Sequence, residues 1–139
     1  MEPYEKPESY KNVNTTATQP LINTLKQVEV DRVTFQKLLE ANQNTIVFKF
    51  GADWCKPCKS IKNHVNSYVS MLPMSVTCCD IDIDDSFDLY AFLKSKKQVS
   101  GIPCLLAYKQ GNVSFAPDVS VSGSNIENIN HFFESVLRL

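Results

Sequence analysis

"FGADWCKPCKS", residues 50–60, places two cysteines three positions apart, behind a tryptophan and with a proline between them. The preceding run TIVFKF, residues 45–50, is apolar almost throughout, which predicts a strand covered on both faces. Beyond the cysteines, apolar residues recur from Ile61 to Leu72 at the spacing of an amphipathic helix that begins near Pro57. Cys55 is therefore predicted at the carboxyl end of a central strand, and Cys58 in the first turn of a helix.

Strand-like and helix-like segments alternate along the rest of the chain. Strands are predicted at residues 25–30, 45–50, 75–83, 102–112 and 113–123. Helices are predicted at residues 32–44, from 57 to 72, at 86–98 with Phe87, Tyr90, Ala91 and Leu93 inward, and from a Ser124–Glu127 capping box onward. This order predicts an α/β domain with a central mixed five-stranded sheet flanked by four helices.

The length of 139 residues predicts one domain with an extension. Residues 1–22 contain three prolines among polar residues and show no sustained period, so we interpret them as a flexible N-terminal extension. Residues 23–139 form the predicted folded domain.

Charge and hydropathy exclude several classes of partner. Lys and Arg number 14 against 15 Asp and Glu, so the chain carries no basic footprint for nucleic acid or an anionic membrane. No apolar run approaches the roughly 18 residues of a membrane span. The polar N-terminus lacks the apolar core of a signal peptide, so we expect a reducing, cytoplasmic location.

The residues alone leave three uses for the cysteine pair. The five cysteines, at positions 55, 58, 78, 79 and 104, are an odd number, which argues against a disulfide-stapled scaffold. A metal site needs further ligands, but the adjacent Cys78 and Cys79 would point to opposite faces of a strand, and His64 is more typical of a helix surface. A redox pair fits the strand-to-helix position, where the helix N-terminus favours a thiolate at Cys55.

Three segments resemble the thioredoxin family. FGADWCKPC resembles its active-site stretch, GIPCLLAYKQG (residues 101–111) its Ile-Pro loop and following strand, and VSGSNIENI (121–129) the glycine before its last helix. The resemblance covers about residues 25–139 and implies the thioredoxin fold. It also implies a thiol–disulfide oxidoreductase, acting as a protein-disulfide reductase.

The resemblance assigns roles to individual residues. Cys55 matches the nucleophilic cysteine, and Cys58 matches the resolving cysteine that releases the mixed disulfide. Pro103 matches a cis-proline that faces the pair. The implied substrate-binding residues are Trp54, Lys56, Pro57, Ile102, Pro103 and Gly123. Lys56 replaces the usual small residue, and its charge is expected to stabilise the Cys55 thiolate.

The chain departs from the family's pattern six residues before Cys55. Thioredoxins have a buried aspartate there that assists proton transfer at the resolving cysteine, whereas this chain has Lys49. On the neighbouring strand, where the family often has lysine, this chain has Asp80. A buried lysine needs a partner, so we expect a charge-swapped Lys49–Asp80 pair with a proton-handling role near Cys58. The alternative is that Lys49 extends to water at a strand edge and Asp80 lies on the surface.

The family assignment also implies the partners. Both electrons reside on the two sulfurs, so no bound cofactor and no metal are expected. The expected partners are protein disulfides and a thioredoxin reductase or another thiol donor, and the expected state is a monomer. Two other classes stay open: an interaction module on the thioredoxin fold with incidental redox activity, and a metal- or cluster-binding protein.

Overall fold

A five-stranded mixed sheet forms the centre of the computed structural model, which describes residues 21–139. The predicted extension, residues 1–22, lies almost wholly outside the described residues. The strands are β1 (Lys26–Gln27), β2 (Thr45–Gly51), β3 (Val76–Asp82), β4 (Cys104–Lys109) and β5 (Val119–Ser122). The helices are α1 (Arg32–Ala41), α2 (Lys56–Ser60), α3 (Lys62–Met71), α4 (Phe87–Ser95) and α5 (Ile126–Leu137).

The sheet order is β1-β3-β2-β4-β5, which puts β2 in the middle. β1, β2 and β3 are parallel, whereas β4 runs antiparallel to β2 and to β5. The carboxyl end of β2 therefore lies beside the amino end of β4, with Phe50 opposite Cys104. This arrangement brings the loop after β2, which contains Cys55, to the same edge of the sheet as Pro103.

Every residue of β2 is buried, because helices cover both faces of the sheet. Phe48 and Phe50 belong to the core on the side of α1 and α4. Val47 belongs to the core on the side of α3 and α5. Side chains alternate along a strand, so Lys49 and Gly51 point to the same side as Val47. That side also contains Cys58.

The helices differ from the prediction in three places. The single helix predicted from Pro57 is interrupted at Ile61 (φ −104°, ψ 1°), so two helices replace it. Residues 21–139 therefore contain five helices, of which four have nine or more residues and α2 has five. Asn125, and not Ser124, caps α5 by accepting a hydrogen bond from the Asn128 amide. In α4 the buried residues are Leu89, Tyr90 and Leu93, whereas Phe87 and Ala91, which we expected to point inward, are exposed.

The edge strands are shorter than predicted. The strand expected at residues 25–30 is confined to two residues, and the one expected at 113–123 is confined to β5. Asn112 and Asp118 explain the second difference. The Asn112 amide donates to the Ala116 carbonyl and to the Asp118 carboxylate, so side chains organise this loop where strand pairing was expected.

Candidate active site

Cys55 and Cys58 form a disulfide at the start of α2, with their Cα atoms 5.3 Å apart. Cys55 is the N-cap residue, and its sulfur accepts a hydrogen bond of 3.2 Å from the Cys58 amide. Both cysteines are only 5% exposed. The sequence prediction placed these two residues correctly at the junction of a central strand and a helix.

The helix start favours a charged sulfur at Cys55 once the disulfide is reduced. Pro57 occupies the first turn of α2, where its missing amide hydrogen is not needed. The free N–H groups of this turn and the exposed Lys56 put positive potential next to the Cys55 sulfur. A thiolate at this position is a better nucleophile than a thiol.

Trp54 lies on the surface beside the disulfide, with 66% of its area exposed. Its indole Nε1 donates a hydrogen bond of 2.8 Å to Oδ2 of Asp84, in the loop after β3. The amide of Ile83 donates to the Gly51 carbonyl at 2.9 Å, which attaches this loop to the end of β2. Sequence reasoning missed Asp84, because its only signal was its place in the acidic run that follows β3.

Pro103 and Gly123 meet through their backbones. The Gly123 amide donates a hydrogen bond of 2.8 Å to the Pro103 carbonyl, and the Ile102–Pro103 peptide bond is cis. Gly123 has φ 92°, a conformation that favours glycine. Pro103 is buried, Ile102 is half-buried and Gly123 is exposed. This hydrogen bond joins the segments that contain the predicted substrate-binding residues Pro103 and Gly123. Both segments lie at the same edge of the sheet as Cys55.

Lys49 and Asp80 are neighbours across the β2–β3 pair. Lys49 Nζ lies 3.7 Å from Asp80 Oδ1, and the side chains are 10% and 31% exposed, respectively. Because β2 is the central strand, Lys49 cannot reach water past a strand edge, which was the alternative considered from the sequence. The buried ammonium group therefore has the carboxylate partner that burial of a charge requires.

Gly51 is the point at which Lys49 approaches the disulfide. A Cβ atom placed on Gly51 would lie 3.4 Å from Cys58 Sγ and 3.9 Å from Lys49 Nζ. The sulfur and the ammonium nitrogen therefore lie within about 7 Å of each other, on one side of β2. Sequence reasoning missed Gly51, although a glycine at a strand end is a signal for close approach of other groups.

A polar cavity of about 510 Å³ connects this buried pair with the active-site helix. Lys49, Asp80, Gly51 and Cys58 all line it. The other charged groups on its walls are Glu29, Asp53, Lys59, Lys62, Asp82 and Asp85. The cavity therefore brings Cys58 and the Lys49–Asp80 pair onto one polar lining, outside the two apolar core clusters.

The remaining three cysteines are free and buried. Burial raises the pKa of Cys78 to about 12 and that of Cys79 to about 11. Burial also raises the pKa of Cys104, against a smaller opposing effect of the hydrogen bond from Ser122. These thiols are therefore poor nucleophiles in the folded protein. The disulfide in the described structure joins Cys55 and Cys58 and includes none of these three.

Two kinds of site have no support in the part of the chain that the structure describes. Among residues 21–139, no group of three or more His, Cys, Asp or Glu is arranged to hold a metal ion. Within the same range, every helix is too short or too polar to cross a membrane.

Comparisons with known proteins agree with this geometry. The thioredoxin family model matches residues 26–135. Thioredoxin 3 of Plasmodium falciparum is 29% identical over 102 residues, which are 73% of this chain and 53% of that protein. Human thioredoxin is 33% identical over 88 residues, which are 63% of this chain and 78% of that protein. The chain thus spans about half the length of the Plasmodium relative.

Solved structures share the fold. The thioredoxin of Trypanosoma brucei brucei superimposes with a TM-score of 0.66 over 88% of this chain and 98% of that one, at 16% identity. This likeness confirms the predicted thioredoxin fold with its mixed five-stranded sheet.

Proposed function

The chain belongs to the thioredoxin family, and on that premise we propose that it reduces protein disulfides through Cys55 and Cys58. The observation that supports this most is the cysteine pair itself. It forms a disulfide at a helix N-terminus, beside the exposed Trp54. A pair in this position can alternate between dithiol and disulfide with little movement of the backbone.

The reaction proceeds by two exchanges of sulfur partners. The Cys55 thiolate attacks one sulfur of a substrate disulfide, forms a mixed disulfide and releases the other substrate sulfur as a thiolate. The Cys58 thiolate then attacks Cys55 Sγ and releases the second substrate sulfur. Two electrons pass to the substrate, and the Cys55–Cys58 disulfide remains. A thioredoxin reductase or another thiol donor returns the two electrons, so no bound cofactor is needed.

Lys49 and Asp80 assist the second exchange. Cys58 must lose its proton before it attacks Cys55, and the cavity gives that proton a path to the Asp80 carboxylate and to solvent. The Lys49 ammonium group, near Cys58 Sγ, stabilises the negative charge that remains on the sulfur. The pair thus keeps a proton-handling role with the family's charges exchanged between the two strands.

The substrate binds as an extended segment over the surface formed by Trp54, Lys56, Pro57, Ile102, Pro103 and Gly123. The exposed Trp54 and the joined Pro103–Gly123 loops support this assignment. The protein acts as a monomer in the cytoplasm, where a reducing environment keeps the donor available. Sedimentation analysis and cell fractionation check these two points.

Reduction of insulin by dithiothreitol tests the function directly. Catalytic amounts of the protein are expected to accelerate the precipitation of insulin chains, and Cys55→Ser is expected to abolish the acceleration. An interaction module with incidental redox activity would bind partners without accelerating the reaction. Absence of acceleration by the wild-type protein would therefore contradict the proposed function.

A further inference from the structure

Phe87 is exposed although it begins a helix that contributes to the core. It is 67% exposed, about as much as Trp54 at 66%. Single exposed apolar residues are ordinary on protein surfaces, so exposure alone means little. The location of Phe87 relative to the active site decides whether it has a function.

Phe87 follows the loop that holds Trp54 in place. It lies three residues after Asp84, whose carboxylate accepts the Trp54 indole hydrogen bond. Three residues span at most about 11 Å, so Phe87 cannot be far from this contact. The loop is also fixed by hydrogen bonds, since the amides of Asp85 and Ser86 donate to the Asp82 carbonyl. Phe87 therefore lies directly after an ordered loop that contacts Trp54.

The flank of α4 that contains Phe87 is turned toward β4. Phe87 and Tyr90 are three residues apart and so share a face of the helix. The centroid of the Tyr90 ring lies 6.4 Å from the centroid of the Phe50 ring. Burial, and then the neighbouring Cys104, raise the pKa of Tyr90. Phe50 lies opposite Cys104 in the β2–β4 pairing, and Cys104 directly follows Pro103, so the Tyr90 flank of α4 faces the strand end next to the Pro103 loop.

Exposed acidic side chains lie next to Phe87 in the sequence. Asp84, Asp85 and Asp88 surround Phe87 in sequence, and all three are exposed. Two of them have partners: Asp84 binds Trp54, and Asp88 accepts a hydrogen bond from the Arg32 amide. Lys59 of α2 is also exposed and lines the same cavity as Asp85. A substrate segment that passes Phe87 thus meets an aromatic side chain next to exposed carboxylates.

We propose that Phe87 determines substrate specificity by packing against an apolar side chain next to the substrate disulfide, with a basic substrate residue facing Asp85. The occupant is an extended protein segment that crosses Cys55. Continuity of Phe87 with the Trp54 surface and the complementary charge of Asp85 support this occupant. The inference rests on the proposed reduction of protein disulfides, and it adds a residue outside the surface that the family resemblance assigned.

Synthetic disulfide peptides test the apolar contact. Two peptides differ only in Leu or Ser beside the disulfide, and kcat/KM is measured for wild type, Phe87→Ser and the control Met74→Ser. Met74 is 53% exposed and precedes β3, at the opposite end of that strand from the Asp84 loop. Phe87→Ser is expected to reduce the Leu-to-Ser preference about fivefold, the size expected for partial burial of a leucine. Met74→Ser is expected to keep the wild-type preference.

A second pair of peptides, with Lys or Glu at the flanking position, tests the charge. Asp85→Asn is expected to reduce the preference for Lys about threefold at low salt, and added salt is expected to remove the wild-type preference. Reduction of a small aromatic disulfide reports on the Cys55–Cys58 chemistry alone, and Phe87→Ser is expected to leave it unchanged. Equal peptide preferences in wild type and Phe87→Ser, with normal reduction of the small disulfide, would overturn the inference but not the proposed function. Failure of the wild-type protein on every disulfide would overturn both.

Discussion

Lys49 Nζ lies 3.7 Å from Asp80 Oδ1 on the same side of the central strand as Cys58. The two partners are not equally buried: the lysine side chain is 10% exposed and the aspartate side chain 31%. A buried ion pair is weak evidence for stability, because loss of solvation offsets much of the attraction. The unequal burial predicts that removing the carboxylate and removing the ammonium group will lower the free energy of unfolding by different amounts.

Asp80→Asn is expected to destabilise the protein more than Lys49→Met. The first change leaves a buried ammonium group without its carboxylate, which costs about 3–5 kcal/mol in a fully buried pair and less here because Asp80 is 31% exposed. The second replaces the charge by an apolar group of similar length and leaves a carboxylate that reaches the cavity, so the free energy of unfolding is expected to stay within about 1 kcal/mol of wild type. Urea unfolding of the oxidised proteins measures both values. A larger loss for Lys49→Met than for Asp80→Asn would contradict this account of the pair.

Lys49→Met is also expected to slow the attack of Cys58 on Cys55. Without the ammonium group, the pH midpoint of this step is expected to rise by about one unit, which slows the step about tenfold near neutral pH. Reaction of the reduced protein with an aromatic disulfide separates the two steps. The first thiolate released reports attack by Cys55, and the second reports attack by Cys58.

Lys59→Met is the matched control, because Lys59 is exposed but lines the same cavity. It is expected to leave the pH midpoint of the second step unchanged. The proton-handling role is wrong if Lys49→Met and wild type have the same pH profile for the second step.

The buried thiols predict a loss of stability in alkaline solution. Cysteines in the unfolded chain ionise near a pKa of 9, whereas Cys78 and Cys79 in the folded protein hold their protons to about 12 and 11. Above pH 9 the unfolded state therefore binds fewer protons, and the free energy of unfolding falls as pH rises toward 11. Replacing both residues by alanine is expected to flatten this fall between pH 8.5 and 10. Parallel curves for the two proteins would show that these thiols do not cause it.

The Trp54–Asp84 hydrogen bond is expected to position the indole for substrate binding. Asp84→Ala removes the hydrogen bond of the Trp54 indole, which is already exposed to solvent. The free energy of unfolding is therefore expected to change by about 0.5 kcal/mol or less. Fluorescence anisotropy of Trp54, the only tryptophan, is expected to fall, and kcat/KM for a protein disulfide is expected to fall a few-fold. Unchanged anisotropy would mean that other contacts hold the indole.

The central strand and the cysteine pair were predictable because their signals are local. The apolar run of β2 requires cover on both faces, and the spacing of Cys55 and Cys58 follows that run directly. Helix faces were harder to predict, because α4 has apolar residues around most of its circumference. Phe87 and Leu89 are both apolar, and only packing against the sheet determines that Leu89 is buried and Phe87 exposed.

Contacts between distant segments could not be predicted without the fold. Asp84 is one of several aspartates in an alternating run, and nothing in the sequence indicates that its carboxylate binds Trp54. The pairing of Lys49 with Asp80 was predicted only through the family resemblance, since it depends on the register of two strands. Helix caps depend on similarly small differences, because Ser124 and Asn125 are both good caps and backbone geometry selects the second.

Covalent trapping of insulin tests the division of roles between the two cysteines. Cys58→Ser cannot resolve the mixed disulfide, so it is expected to accumulate a covalent adduct between Cys55 and an insulin cysteine. Non-reducing electrophoresis and mass spectrometry would identify this adduct, and dithiothreitol is expected to cleave it by reducing the mixed disulfide. Cys55→Ser is expected to form little or none, because the remaining Cys58 lies inside the first turn of α2 and lacks the N-cap position that favours a thiolate at Cys55. Equal adduct formation by the two variants would contradict the assignment of Cys55 as the attacking cysteine and Cys58 as the resolving one.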